Sequence, residues 1–323
     1  MADVAVAENV WGPAFEGLAR EFSVVLLPDD HSQEDLPELL GGVRGLVVRN
    51  RTLVTRSLLA ECSSLVIVGR AGVGSENIDL DAARELGVVV SVPFGANAVS
   101  VAEHTLGLAL AVARLTVPLD RAVRSGKWER KAGRELMGGT WGLLGFGATA
   151  RSVATLARAM SMDVLAYDPY VGASAINDAR RAGVEIVSLE HVACRADVLS
   201  VHVPATSNTR HLVDASLLGR MKDAAILVNV ARGEVVDEDA LFDALTHGRL
   251  WGAGLDVRNV EPPGPGRLDM LQNVVLTPHV AGLTDASQNR ITQVLADDLR
   301  TVLTGGSARS AVGMERPRRE PSL

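Results

Sequence analysis

Short apolar runs alternate with amphipathic stretches along this chain. Through residue 95 the apolar runs are Val4-Ala5-Val6, Val24-Val25-Leu26-Leu27, Leu46-Val47-Val48, Leu65-Val66-Ile67-Val68 and Val88-Val89-Val90. They are short and rich in β-branched residues, as strands buried on both faces are. Helical segments such as Asn77 to Leu86 lie between them. Helices are also predicted at 98–114 and at 119–130, the latter ending in Lys127-Trp128-Glu129-Arg130. A second series then places strands near 140–145, 163–167, 184–187, 197–202, 225–230, 251–257 and 274–277, with periodic helices at 149–160 and 238–247. Strand–helix alternation builds parallel sheets with helices on both faces, so the fold class is α/β and doubly wound. The segment 285–303 spaces Ile291, Val294, Leu295, Leu299 and Val302 as a helix does. From Gly305 onward Arg, Pro, Ser and Gly dominate, and 306–323 is expected to be a disordered tail.

Three of the later apolar runs end in a polar residue of a different kind. Ala225 to Ala231 leads to Arg232, the strand-like Gly254-Leu255-Asp256-Val257 precedes Glu261, and Asn273 to Pro278 leads to His279. Parallel strands deliver such residues to one sheet edge, the edge at which open α/β sheets bind ligands. A cation, a carboxylate and an imidazole gathered there suit proton-coupled chemistry on an anionic substrate.

Composition narrows the classes. The 323 residues leave room for two domains, and 47% apolar content supports sizeable cores. A net charge of -7 argues against nucleic acid as a partner, because binding phosphates needs a basic face. Cys62 and Cys194 are far apart and lack metal-ligand spacing, and His and acidic residues do not cluster as ligands do, so no metal is expected. A reducing cytoplasm is the simplest setting. Asp3 and Glu8 make a poor signal peptide. The apolar stretch Ala98 to Pro118 contains Glu103, His104 and Arg114, so it reads as a buried helix and not as a membrane span.

Trp141-Gly142-Leu143-Leu144-Gly145-Phe146-Gly147-Ala148-Thr149-Ala150 is a strand entering a glycine turn and then a helix. It fits G-x-G-x-x-A, in which the turn amides and the helix N-terminus bind a pyrophosphate. Alone, such a turn is common to doubly wound domains. Asp168 ends the next strand about 20 residues on, where an acid takes the ribose hydroxyls of NAD and repels the 2′-phosphate of NADP.

These residues, taken with several further motifs, make the chain resemble the D-isomer-specific 2-hydroxyacid dehydrogenases, closest to D-3-phosphoglycerate dehydrogenases without the C-terminal regulatory domain. The further motifs are Gly69-Arg70-Ala71-Gly72-Val73-Gly74 with Asn77-Ile78-Asp79, Val101-Ala102-Glu103-His104, Gly126 to Arg130, His202-Val203-Pro204, Asn229 to Gly233, Glu261-Pro262 and Thr277-Pro278-His279. The resemblance spans roughly residues 44–290. It implies a discontinuous substrate domain, 1–96 plus 286–305. A Rossmann-type NAD domain, 97–285, is inserted in it, and the active site lies in the cleft. It also implies a homodimer built around the cofactor domains.

The resemblance further implies hydride transfer between the nicotinamide of NAD and C2 of a small 2-hydroxy or 2-keto acid. His279 matches the acid/base. Glu261 is its partner, since a neighbouring carboxylate favours the imidazolium. Arg232 matches the group that binds the substrate carboxylate, helped by backbone amides of Ala71, Gly72 and Val73. Cofactor contacts are expected at Gly145, Phe146, Gly147, Ala148, Thr149, Asp168, His202, Val203, Pro204, Thr209, Val230, Ala231, Arg232, Asp256 and His279. Asp256 matches the residue that meets the nicotinamide amide, though a strand-end cap is equally open. His202 borders the adenine pocket, where packing is its expected role. The family has Arg-Ile-Gly after the second loop glycine, whereas this chain has Ala148-Thr149-Ala150. The missing arginine predicts weaker NAD binding, unless Arg151 replaces it.

Arg49 matches an arginine aimed at the substrate phosphate in phosphoglycerate dehydrogenases, and Arg51 and the basic run Lys127-Arg130-Lys131-Arg134 add charge. Two enzyme readings follow, a D-3-phosphoglycerate dehydrogenase or another D-2-hydroxyacid dehydrogenase such as a hydroxypyruvate or glyoxylate reductase. An NAD-sensing binding protein like the corepressors of this family is a third reading, of a different class.

Overall fold

The computed structural model describes residues 2–10, 12–28 and 30–319. They divide into two compact units, the described residues up to 97 with those from 284 to 319, and residues 98–283.

The first unit holds a parallel five-stranded sheet of β1 (Val4–Val6), β2 (Val24–Leu26), β3 (Gly45–Val48), β4 (Ile67–Arg70) and β5 (Val89–Ser91), in the order β2-β1-β3-β4-β5. That is the flavodoxin-like order. Helices α1 (Pro13–Leu18) and α12 (Asp285–Leu303) cover one face, and α2 (Leu36–Leu39), α3 (Arg56–Glu61) and α4 (Leu80–Glu85) cover the other. The apolar stripe of α12, with Ile291, Leu295, Leu299 and Val302, packs on Val4, Val6, Val47 and Ile67. Burying each such side chain contributes about 1.5–3 kcal/mol, which explains why a helix so distant in sequence joins this sheet.

The second unit holds seven parallel strands: β6 (Thr140–Leu144), β7 (Asp163–Tyr167), β8 (Val184–Ile186), β9 (Val198–Val201), β10 (Ala225–Asn229), β11 (Leu250–Leu255) and β12 (Val274–Leu276). Their order is β12-β11-β10-β9-β6-β7-β8. Chain order reverses between β6 and β9, as in a dinucleotide-binding sheet. Successive residues serve opposite faces. Leu143 packs under α5 (Ala98–Ala113) and α7 (Ala148–Ala159), whereas Leu144 packs under α9 (Leu189–Arg195), α10 (Ala215–Arg220) and α11 (Glu238–Thr246). Helices α6 (Thr116–Arg124) and α8 (Ala173–Arg181) complete the unit. Among the described residues no single helix is long and apolar enough to cross a membrane.

Two expectations are corrected. The helix expected to run to Arg130 ends at Arg124, because Gly126 N–H bonds back to Val123 O and Lys127 N–H to Ala122 O. That paired closure terminates a helix. The tail is also not disordered over residues 306–319, and residues 320–323 lie outside the described residues. Val92 N–H donates to Ser310 O at 2.9 Å and Val312 N–H to Val90 O at 2.8 Å, so the tail pairs antiparallel along the edge strand β5. Buried Asp298 accepts from Ser91 Oγ and from the amides of Arg309 and Ser310. An open sheet edge binds chain through backbone groups, which needs no apolar side chains.

Candidate active site

The loops after β6, β7 and β9 meet at the reversal point of the second unit. Gly145 has φ +94°, and a Cβ there would lie 2.9 Å from His202 O. Only glycine permits that turn and that approach. Gly147 begins α7 with no side-chain cap, and a Cβ on it would meet nothing within 4 Å. The N-terminus of α7 therefore has no side-chain cap of its own, as suits an anion site at a helix N-terminus. Asp168 braces the loop, accepting from Phe146 N–H through Oδ2 and from Tyr170 N–H through Oδ1, each at 2.9 Å. Arg151 does not extend forward. Its Nε donates to Phe146 O at 3.1 Å and its guanidinium lies 4.8 Å from the Phe146 ring centroid.

Behind this loop, Trp141 Nε1–H donates to Ser200 Oγ, which lies 2.8 Å from His202 Nε2. Burial pushes the His202 pKa down to about 3, so the imidazole is neutral and held inward. Thr209 Oγ1 donates to Pro204 O at 2.6 Å and fixes the turn after His202-Val203-Pro204.

The loops after β10, β11 and β12 carry the three polar residues. His279 Nδ1 is 2.6 Å from Glu261 Oε2, and the other carboxylate oxygen accepts from Arg258 N–H at 3.0 Å. His279 sits at φ 54°, a costly backbone for a large side chain. Asp256 holds it there: its carbonyl accepts His279 N–H at 2.7 Å. The Asp256 carboxylate, 1% exposed, accepts from Thr277 Oγ1 at 2.6 Å, Val280 N–H at 2.9 Å and Ala281 N–H at 2.8 Å, and His104 Nε2 lies 3.5 Å away. Burial works to raise its pKa, but the donors His104, Thr277, Val280 and Ala281 outweigh that and leave it low. In this structure Asp256 thus organises the histidine turn.

Arg232 is reached through buried Asn229, whose side chain donates to Arg232 O at 2.9 Å and accepts from Ala231 N–H at 3.1 Å. Arg232 Nη1 donates to Ala231 O at 2.8 Å. Gly233 joins this turn to the Glu261 loop, because a Cβ on it would lie 2.0 Å from the carbonyl carbon of Arg258.

In the first unit, Arg49 and the 71–74 turn follow adjacent strands, with Ala71 N–H donating to Val48 O at 2.7 Å. One carboxylate, Glu8, gathers the amides of Arg49 (2.9 Å), Arg51 (3.1 Å) and Thr52 (3.0 Å). Asn77 donates to the carbonyls of Arg49 and Thr52. Of the basic run, Lys131 pairs with Glu129, and Arg134 is spent within its own unit on Ala224 O and the Trp251 ring.

Residues 106–281 match the family model of the D-isomer specific 2-hydroxyacid dehydrogenase NAD binding domain. The chain belongs to the D-isomer-specific 2-hydroxyacid dehydrogenases. It is 41% identical over 310 residues to the (S)-sulfolactate dehydrogenase of Chromohalobacter salexigens, covering 94% of this chain and 99% of that relative. It is 39% identical over 322 residues to the D-3-phosphoglycerate dehydrogenase of Archaeoglobus fulgidus, covering 99% of this chain but 60% of the relative's length. The structure of the Aquifex aeolicus D-lactate dehydrogenase complexed with NAD and lactic acid superposes with a TM-score of 0.78 at 27% identity, covering 94% and 96% of the two chains.

NAD is the cofactor of this 2-hydroxyacid dehydrogenase domain, and the residues fit it. A Cβ on Gly147 would meet nothing within 4 Å, and Asp168 directly follows β7, the position from which an acid takes ribose hydroxyls in dinucleotide-binding sheets. The structure brings His279 and Glu261 into contact and sets Arg232 on the neighbouring loop. It also shows four residues that sequence reasoning gave no part: Asn229, Arg258 and Glu238 in the second unit, and Glu8 in the first. Asn229 was detectable as a polar residue ending an apolar strand. The others depend on partners distant in the chain.

Proposed function

We propose that this protein interconverts a D-2-hydroxy acid and its 2-keto acid with NAD. The observation that carries the reading is the 2.6 Å pair of His279 Nδ1 and Glu261 on the sheet edge that also bears the glycine loop. With Nδ1 committed to the carboxylate, Nε2 is the atom left for proton exchange with substrate. NAD, held by the glycine loop and Asp168, would supply the hydride chemistry at C2, as acceptor in oxidation and donor in reduction. In oxidation His279 Nε2 accepts the hydroxyl proton as the C2–O bond becomes a carbonyl, and in reduction it gives that proton back. Positioned proton transfer of this kind is worth about 10²–10⁴ in rate. Arg232 binds the substrate carboxylate, and the amides of Ala71, Gly72 and Val73 are the second set of carboxylate donors.

The preferred substrate carries a second anion. Support comes from Arg49 and Arg51 on a loop that Glu8 and Asn77 hold rigid. It also comes from relatives named for phosphoglycerate and sulfolactate. A panel of 2-keto acids with NADH and NADPH tests both levels. Turnover of phosphohydroxypyruvate or sulfopyruvate above pyruvate and glyoxylate, with NADH preferred, is expected. No turnover of any keto acid would remove the enzyme reading, and equal turnover would remove the second anion. The protein acts as a homodimer, with exposed Val123, Trp128 and Met137 of the second unit as the apolar surface to cover. Its setting is the cytoplasm, where its two unpaired cysteines stay reduced.

A further inference from the structure

Arg258 lies three residues beyond β11, and its side chain is only 11% exposed. Nε donates to Glu238 Oε1 at 3.1 Å and Nη2 to Glu238 Oε2 at 3.0 Å, a two-pronged grip. Nη1 donates to Asp269 Oδ1 at 2.9 Å. Glu238 opens α11 and also accepts Asn259 N–H at 2.8 Å. Asp269 closes back on Gly266 N–H at 2.8 Å. One guanidinium thus ties three segments of the second unit together, the loop after β11, the start of α11 and the 267–270 turn. The backbone of the same residue touches the machinery on both sides. Its N–H holds Glu261, and its carbonyl carbon abuts Gly233 beside Arg232.

We propose that Arg258 is the positioning residue of the acid–base pair: clamped by Glu238 and Asp269, it fixes the loop that presses Glu261 against His279. The inference rests on the reading of His279 and Glu261 as the proton-transfer pair. An arginine suits the task because its planar fork fixes direction as well as distance, which lysine does not. Removing it leaves two partly buried carboxylates without their cation, so the loop relaxes. Arg258 does not touch substrate, and its effect passes through Glu261.

The test is a double-mutant cycle between Arg258→Met and Glu261→Gln in the full chain, reading kcat, KM for the keto acid and for NADH, and Tm. R258M is expected to lower kcat about tenfold with both KM values within about twofold, and to add less than about twofold in the E261Q background. Arg258→Lys restores part of the loss. If R258M does not fold, Asp269→Asn removes one leg of the clamp and carries the same comparison at about threefold. Wild-type kcat in R258M, or in D269N where R258M does not fold, overturns the clamp, as does full multiplication of the two effects. An E261Q protein with unchanged kcat instead overturns the proton-transfer reading, and the clamp falls with it.

Discussion

Replacing Glu261 by Gln removes the charge from the acid–base pair. Glutamine keeps the shape, and with its oxygen turned to His279 Nδ1 it keeps the 2.6 Å contact without the negative charge, while its NH2 then meets the Arg258 N–H that Oε1 accepts in the wild type. Two unit charges about 4 Å apart attract by about 4 kcal/mol at an effective dielectric of about 20, and by about 1 kcal/mol in bulk water. The His279 and Glu261 side chains are 49% and 36% exposed, which places the pair toward the weaker limit. A loss of about 1–2 kcal/mol from the protonated donor corresponds to about 5- to 30-fold in kcat for keto-acid reduction. His279→Ala should cost about 10²–10⁴, since it removes the proton donor itself. Steady-state NADH consumption measures both variants. Salt supplies the internal control, because the charge component is screened and the gap between wild type and E261Q should narrow at high ionic strength. Wild-type kcat in E261Q, or a loss as large as that of H279A, refutes the division of labour.

Arg232→Lys should raise KM for the keto acid about tenfold or more, because an ammonium cannot bind a carboxylate with two parallel bonds. Unchanged KM would remove Arg232 from substrate binding. Asp256→Asn turns a donor toward amides that also donate, which costs about 1–3 kcal/mol, or several degrees of Tm. The folded-state pKa of Asp256 is depressed, so its stabilisation is full above the unfolded carboxyl range near pH 4 and is lost as pH falls through the lower folded value. The Tm gap between wild type and D256N should therefore close in acid, and a constant gap from pH 3 to 7 (on the order of the full titration range) would contradict it. Glu8→Ala frees the amides of Arg49, Arg51 and Thr52. It should raise KM for a dianionic keto acid more than for pyruvate, and equal effects on both would unlink Glu8 from substrate choice.

How much was legible in the sequence follows from the range of each interaction. Leu227 and Val228, Ala253 to Leu255, and Val274 and Val275 are apolar because both sheet faces are covered, so their ends, and the polar residues beyond them, declare one edge. The glycine loop is equally local, since Gly145 answers a turn and a close approach within one βα unit. Arg258 was illegible because its carboxylates lie 20 residues before it and 11 after it, joined only by strand order. Asp256 was legible as a strand-end residue, but its saturation by Thr277, Val280 and Ala281 was not. The tail misled because composition reports side chains, whereas Ser310 and Val312 are held by backbone pairing to β5.

The two hydrogen-bond networks share no residue. Glu8 and Asn77 bind backbone groups of Arg49 and Thr52 beside the five-stranded sheet, while Glu238, Arg258, Glu261 and His279 are linked in series beside the seven-stranded one. Couplings of about 0.5–3 kcal/mol arise where residues share partners, so substitutions in the two networks are expected to add. On the proposed roles, substitutions at Arg49 and Glu8 are expected to change substrate preference while proton transfer at His279 is kept. Such a separation is one way for a family whose members are named for phosphoglycerate, sulfolactate and lactate to differ in substrate.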